Sequence, residues 1–350
     1  MSRALIASLV AAVALTASAA DKVAQVRMTI DEDPITLRLA ASLGYLAQEG
    51  IEIVPVDLEK IAGEDYLMQE PLMKGQIDAS YHWFNHAVFG ARHGFWVKAV
   101  MVFNDAPGMT VMVANRVKGE VRSVADFKGR RIAEGAGYGT KSVITNYLAA
   151  KAGLPARSYT PVMLGKEGRQ EAVIQGLKDA TVDVMTFQEP VTSALIDTRM
   201  VSVLYDLNSK DSTAKVLGAA FPAQTLLMSP RYIEAHPDTV QHLVNAMVRA
   251  MRFINSHSAE EIAAKLPPGY FTGKDRQAEV RLIRDTLSTF AKDDYSFSPA
   301  AVNLVAEINL NSAFDKSVEG QWRATGDKSK VRPEALYDNR FVKKAMKDIK

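Results

Sequence analysis

Residues 135–142 read GAGYGTKS, and their glycine spacing resembles that of a phosphate-binding loop. A nucleotide P-loop leaves four residues between two glycines and follows the second with Lys-Ser or Lys-Thr. Counted from Gly135, the second glycine falls at position 140, where Thr140 stands before Lys141 and Ser142. A dinucleotide fingerprint needs glycines at 135, 137 and 140, and it fails at the same place. The missing glycine is the one that lets backbone and ligand approach closely, so neither nucleotide is implied. What remains is the chemistry of an anion-binding turn. Gly135, Gly137 and Gly139 allow a tight turn, and Thr140 suits the N-cap of a following helix. Free N–H groups at that helix start, with the Thr140 and Ser142 hydroxyls, make a seat for a carboxylate or sulfonate. Tyr138 is placed to cover or stack on the ligand. The plainer alternative is a capped helix start without a ligand.

A second stretch, YHWFNHAVF (81–89), follows a strand-like run. Its residues His82, Trp83, Phe84 and Asn85 are expected to face a cleft. Trp83 and Phe84 can stack on a planar ligand, and Asn85 can orient it. His82 and His86 are four apart, as in helical zinc sites. No Glu or third His follows at metal spacing, so ordinary cleft or packed histidines are expected and no metal. A third stretch is Thr186-Phe187-Gln188-Glu189-Pro190. Gln188 or Glu189 can accept a hydrogen bond from a ligand amine or hydroxyl, with Phe187 beside them. Alternatively Glu189 caps its own helix and Pro190 takes the first-turn position. Asp33, in DEDP (31–34), and Gln224, in FPAQ (221–224), are further cleft candidates. Catalysis finds no motif: there is no Gly-x-Ser-x-Gly, no His-Glu-x-x-His and no cysteine. No catalytic residue and no cofactor is expected.

These stretches sit in a strand–helix alternation. AQVRMTI (24–30), IEIVPVDL (51–58), IDASY (77–81) and VKAVMVFN (97–104) read as strands. Helical runs separate them after Pro34, at about 64–74 and at FNHAVFGARHG (84–94). The pattern restarts with strands at GMTVMVA (108–114), RRIAE (130–134), YTPVML (159–164), VDVMTF (182–187) and VSVLYDL (201–207). Helices are expected at about 141–151, at 168–180 and at PVTSALID (190–197). Such alternation implies parallel sheets with helices on both faces. Beyond 221 the pattern turns helical. Residues 236–257 carry Val240, Leu243, Val244, Met247, Met251 and Ile254 at helical spacing, a Met-rich core face. No repeat of fixed period and no low-complexity linker is visible. Two α/β units in one chain place a crossover near 108–112 and a return near 217–224.

The first 20 residues are of another kind. Arg3 is their only charge, an apolar run extends from Ala4 to Leu15, and small residues follow. Ala17-Ser18-Ala19 and Ser18-Ala19-Ala20 both fit the cleavage rule of a secretory signal peptide. Cleavage after Ala19 or Ala20 is expected, and without cysteine there is no lipid anchor. The composition of the 350-residue chain, 47% hydrophobic and 23% charged, is that of an ordinary globular protein. A net charge of +2 and the lack of like-charge runs point to no nucleic-acid or membrane-surface partner.

Four segments in order resemble one family. GYLAQEGIEIV (44–54), LMKGQIDAS (72–80), VADFKGRRIA (124–133) and VIQGLKDATVDVMTFQEP (173–190) are similar to motifs of ABC-importer solute-binding proteins of the nitrate/sulfonate/taurine and pyrimidine-precursor type. The order and spacing match over about 30–340. The resemblance implies the type II periplasmic-binding-protein fold, in which two α/β lobes are joined by a two-strand hinge. Each lobe would be a mixed, mainly parallel sheet flanked by helices. Lobe 1 would comprise residues 21–110 and 220–350, and lobe 2 residues 111–219. It also implies a periplasmic monomer that captures a small organic anion between its lobes. A permease and its ATPase would receive that ligand. Gln188 departs from the pattern, because many relatives carry an aromatic residue there. Two other functions share this fold: a pyrimidine-forming enzyme that consumes its own histidine, with His82 or His86 in that role, and a ligand-sensing subunit of a receptor. Intact-mass measurement of the exported protein is expected to show a chain beginning at Ala20 or Asp21 without an acyl group. A mass that retains the leader or adds a lipid would overturn the export reading.

Overall fold

The computed structural model describes residues 23–29, 34–62, 67–133, 139–155, 158–162, 170–267, 270, 275–311 and 326–349. Ten strands form two five-stranded sheets. They are β1 (Ala24–Thr29), β2 (Ile51–Val56), β3 (Ala79–Trp83), β4 (Lys98–Val102), β5 (Met109–Ala114), β6 (Arg131–Ala133), β7 (Thr160–Val162), β8 (Val184–Gln188), β9 (Val201–Leu207) and β10 (Gln224–Met228). The first sheet runs β2-β1-β3-β10-β4 and the second β7-β6-β8-β5-β9. In each sheet four strands point one way. The fourth in order, β10 or β5, is antiparallel to both its neighbours. The two reversed strands are the ones that follow the crossings between lobes. The sheets are therefore mixed, not purely parallel as the strand–helix alternation alone suggests. Although no period is visible in the sequence, the two lobes repeat one architecture.

β5 shows why these residues fold as strands. Its MTVMVA run is buried along its whole length, as expected for a near-continuous apolar strand between two partners. The Pro237–Ser256 helix buries Val240, Leu243, Val244, Met247, Met251 and Ile254 on one face, the face expected from their spacing. It packs against the Ile35–Ser42 and Arg340–Asp348 helices. The helix expected over 64–74 is described as Gln69–Met73, with 63–66 outside the described residues. β10 is a strand inside a region that reads as helical. The expected crossover at 108–112 falls mostly within β5. The chain crosses at 103–108 and returns at 218–223. These crossing segments bond to each other: Phe103 N donates to Gln224 O at 2.9 Å, Ala223 N to Asn104 O at 2.8 Å and Phe221 N to Asp105 O at 2.9 Å. Among the described residues no helix is long and apolar enough to cross a membrane.

The same ion pair fixes both lobes. Asp78 accepts from the backbone N–H of Arg27 at 2.9 Å and from its guanidinium at 3.0 and 2.6 Å. Asp183 accepts from the Arg131 backbone at 2.9 Å and from its guanidinium at 3.0 and 2.9 Å. Arg116 adds a bond to Asp183 at 2.6 Å. Each Asp precedes the strand that stands third in its sheet, β3 or β8, and ties it to the second, β1 or β6. Burial alone would raise the Asp183 carboxyl. Hydrogen bonds from the Arg131 side chain and backbone, and from Arg116, outweigh burial and hold it down at about 2, against an ordinary 3.8. A carboxyl depressed on folding adds stability that is present above its unfolded pKa and lost as pH falls toward the folded one. Asp183→Asn should therefore lower stability at neutral pH by about 2 kcal/mol. In denaturant unfolding, the gap from wild type should shrink between about pH 4 and pH 2. An unchanged gap over that window would show that the charge is not what stabilises.

Candidate functional site

A cavity of about 330 Å³ lies between the lobes at the crossing segments. β3 supplies Tyr81 and Trp83, which share a face because strand side chains alternate. The end of β8 supplies Gln188 and Glu189, the crossings supply Asn104, Pro107, Gly108 and Ala223, the start of β10 supplies Gln224, and the segment 282–290 supplies Thr286, Thr289 and Phe290. Four of the expected site residues thus meet here: Trp83, Gln188, Glu189 and Gln224.

Hydrogen bonds hold these walls. Tyr81 stacks on Phe103 at 4.6 Å between centroids and donates its hydroxyl to Asn104 Oδ1 at 3.4 Å. Asn104 Nδ2 donates to Thr289 Oγ1 at 2.7 Å. Gln188 Nε2 donates to the Pro107 carbonyl at 3.1 Å. Glu189 Oε2 accepts from Ser193 N at 3.2 Å in the first turn of the Val191–Asp197 helix, whose N-cap is Pro190 rather than Glu189, and Glu189 also lines the cavity. Sequence reasoning missed Asn104, Tyr81 and Thr289. The available signal for Asn104 was its place between β4 and the Ala106-Pro107-Gly108 turn. Asp105, beside it, is driven up to about 6 by burial, against the opposing pull of Lys210 and then Lys292.

The other expected residues divide. Gly139, not Thr140, occupies the N-cap of the Thr140–Lys151 helix, and Thr140 is its first residue. Thr140 Oγ1 donates instead to Asn85 Oδ1 at 3.3 Å, on the first turn of the Phe84–Arg92 helix. Two helix N-termini from different lobes therefore meet. Asn85 is fully buried, and its Nδ2 has no hydrogen-bond acceptor. Ser142 is fully buried inside the first turn, and it, Thr140, Asn85 and His82 are not among the residues that line the cavity. Phe84 packs against Phe297 at 5.0 Å, in the core and away from the cavity. Phe187 is buried under Lys141 Nζ, on the strand face opposite Gln188. His82 points away from Tyr81 and Trp83, and its Nε2 lies 2.7 Å from His86 Nδ1. Burial, then the neighbouring His86, push His82 well below its usual value, and burial takes His86 to about 4. Both rings are neutral at pH 7, one donating to the other. Among the described residues no cluster of metal-ligating groups occurs. Asp33, Gly137 and Tyr138 lie outside the described residues.

Comparison with solved structures finds this fold repeatedly. A Bordetella bronchiseptica RB50 protein is 22% identical, with a TM-score of 0.68 over 93% of this chain and 97% of that one. The alkanesulfonate-binding protein SsuA from Xanthomonas axonopodis pv. citri, bound to MOPS, is 19% identical, with a TM-score of 0.61 over 91% and 100%. The desulfurization enzyme DSZB is 12% identical, with a TM-score of 0.59 over 93% and 99%. Comparison with curated protein sequences finds no match. The family described as NMT1/THI5 like matches residues 33–261, most of the chain, including the first crossing, β3, β8 and β10. On that match the chain belongs to the NMT1/THI5-like family.

Proposed function

We propose that this protein is the periplasmic solute-binding component of an ABC importer. It captures a small organic anion between its lobes and, as a monomer, delivers it to a permease and its ATPase. The observation that carries this reading is the cavity, whose walls come from both lobes and from both crossing segments. A ligand there touches every part that moves when two lobes close. Lobe 1 is taken as residues 21–110 and 220–350, and lobe 2 as residues 111–219. Outside the residues that line the cavity, the N-termini of the Phe84–Arg92 and Thr140–Lys151 helices meet, and a ligand that reached them would find the unsatisfied Asn85 Nδ2 and a dipole that favours an acidic group. Tyr81, Trp83 and Phe290 favour an aromatic or aliphatic body over a bare inorganic ion. The name of the sulfonate-binding fold neighbour supports the same class. DSZB makes an enzyme the rival reading. Binding is preferred because the described lining of the cavity holds no cysteine, histidine or serine to act as nucleophile or base.

A thermal-shift screen of the mature protein against sulfonates and carboxylates should find a ligand that raises the melting temperature. Small-angle scattering with that ligand should give a smaller radius of gyration than without it. An unchanged radius at saturation would count against lobe closure. If a ligand acid takes the Thr140 hydroxyl over from Asn85, Thr140→Ala should weaken the ligand roughly tenfold. Because Gly139 holds the cap position, stability should change little. Wild-type affinity in this variant would remove Thr140 from the site.

A further inference from the structure

The first crossing carries an acid that the cavity does not use. Asn104 and Ala106 line the cavity, and Asp105 between them does not. Its backbone is fixed from two sides. Asp105 N donates to the Thr289 carbonyl at 3.1 Å, and its carbonyl accepts from Phe221 N, on the return crossing, at 2.9 Å. The side chain is therefore held at the point where the chain passes between the lobes. Oδ1 is buried and has no hydrogen-bond partner. In the proposed division, the charged groups that face this carboxylate come from both lobes. Lys210 and Asp211, at the start of the Lys210–Leu217 helix, belong to the second, and Lys292, just beyond Phe290, belongs to the first. Neither lysine forms an ion pair with it among the described residues. A buried carboxylate oxygen without a donor is costly when charged and much less so when protonated. Burial accordingly drives the carboxyl up to about 6, against Lys210, its own backbone N–H and Lys292, and with some help from Asp211.

The geometry points to Asp105 as a proton-sensitive element of the hinge, whose charge favours parted lobes and whose neutral form favours closed ones. This rests on the reading that the lobes move and adds what biases the motion. The lobes are in contact here, through Thr140 to Asn85 and Tyr147 to Glu307. Parting them draws the Lys210–Leu217 helix away from Thr289 and Lys292 and admits water to Oδ1. The carboxyl then returns toward its ordinary 3.8. The closed form therefore holds the proton more tightly, and closure takes one up. Well above about pH 6 the acid is charged in both forms, and closure carries the full cost of burying it. As pH falls from about 6 toward 3.8 that cost is lost, and below 3.8 no further change follows.

The test is a distance between the lobes, measured in the full mature protein without ligand. The chain has no cysteine, so Lys118→Cys and Arg231→Cys, both exposed and one on each lobe, carry spin labels without background. Double electron–electron resonance then reads the open and closed populations. Between about pH 7.5 and about pH 4.5 the closed-to-open ratio should rise roughly tenfold. Asp105→Asn is neutral throughout, so its ratio should stay near the acid-end value of the labelled protein with Asp105 intact, and the pH response should vanish. Lys210→Met removes the larger of the two lysine pulls that keep the carboxyl charged, so the rise should begin at higher pH. A purely structural role of Asp105 would not give that shift, and its reading does not depend on Asp105→Asn folding. An undiminished pH response in Asp105→Asn overturns the inference, and so does a ratio that stays constant over the range with Asp105 intact. A single distance at every pH overturns it as well. If saturating propanesulfonate then changes that distance, lobe motion stands without the proton-sensitive hinge, and if it does not, the reading of moving lobes falls too.

Discussion

The site depends on two carboxylates that lie outside it. Asp78 and Asp183 each grip the backbone N–H and guanidinium of an arginine on the neighbouring parallel strand, β1 or β6. A one-residue slip in a strand turns every side chain to the other face. The grip therefore sets which residues of β3 and β8 look into the cleft. Trp83 stands five positions after Asp78 and Gln188 five positions after Asp183, and both line the cavity. In β3 this parity sends Tyr81 and Trp83 inward and His82 to its partner His86. In β8 it sends Gln188 inward and Phe187 into the core. The equivalence of the two lobes is thus an equivalence of register, and it brings two unlike side chains to like positions.

Between the lobes the connection is narrow and polar. The crossings are joined by backbone hydrogen bonds, and Asn104 links Tyr81 on one side to Thr289 on the other. Contacts away from the crossings bridge the lobes as well. Thr140 reaches Asn85, Tyr147 donates to Glu307 Oε1 at 3.2 Å on the Pro299–Asn311 helix, and Ser193 donates to Asp285 at 3.4 Å. Each is a single hydrogen bond between groups that water satisfies when the lobes part, so each contributes only about 1 kcal/mol. The buried Nδ2 of Asn85 works in the opposite direction. An unmet donor costs about 1–3 kcal/mol, which a ligand oxygen at that place would remove. These hydrogen bonds between the lobes are accordingly weak one by one, as the proposed closure on a ligand requires.

Much of the fold was legible because its signals are local. Apolar runs of five to seven residues mark most of the strands, and the stripe from Val240 to Ile254 marks the long helix. Two kinds of information were not local. QTLLM of β10 is a short apolar run next to long helical patterns, and only its partners β3 and β4 make it a strand. Phe84 and Phe187 have the residue type of ligand-stacking groups. Their fate is decided by strand parity at the strand-to-helix junction, which a sequence quotes only to within a residue or two. Thr140 is a good cap by residue type, yet the helix starts one residue earlier in the cap's frame and frees its hydroxyl for Asn85. Asn104 carries no motif at all. Its role comes from three chain segments that are distant in sequence and meet only at the crossing.

The chemistry of the cleft also bears on release. A carrier must hold its ligand firmly enough to capture it and still let it go at the next station. A fixed arginine would keep its grip on an acid in the open form as well as in the closed one. On the proposed reading an acid would meet no arginine but two helix N-termini, that of Phe84–Arg92 from the first lobe and that of Thr140–Lys151 from the second. Glu189 belongs to the second lobe, whereas Tyr81, Trp83 and Phe290 all belong to the first. No single lobe presents the full set. Opening by a few ångströms separates all these partners together, while neutral dipoles, unlike full charges, hold little at longer range. On the proposed reading binding strength would be tied to closure, so that one conformational step would govern both capture and delivery.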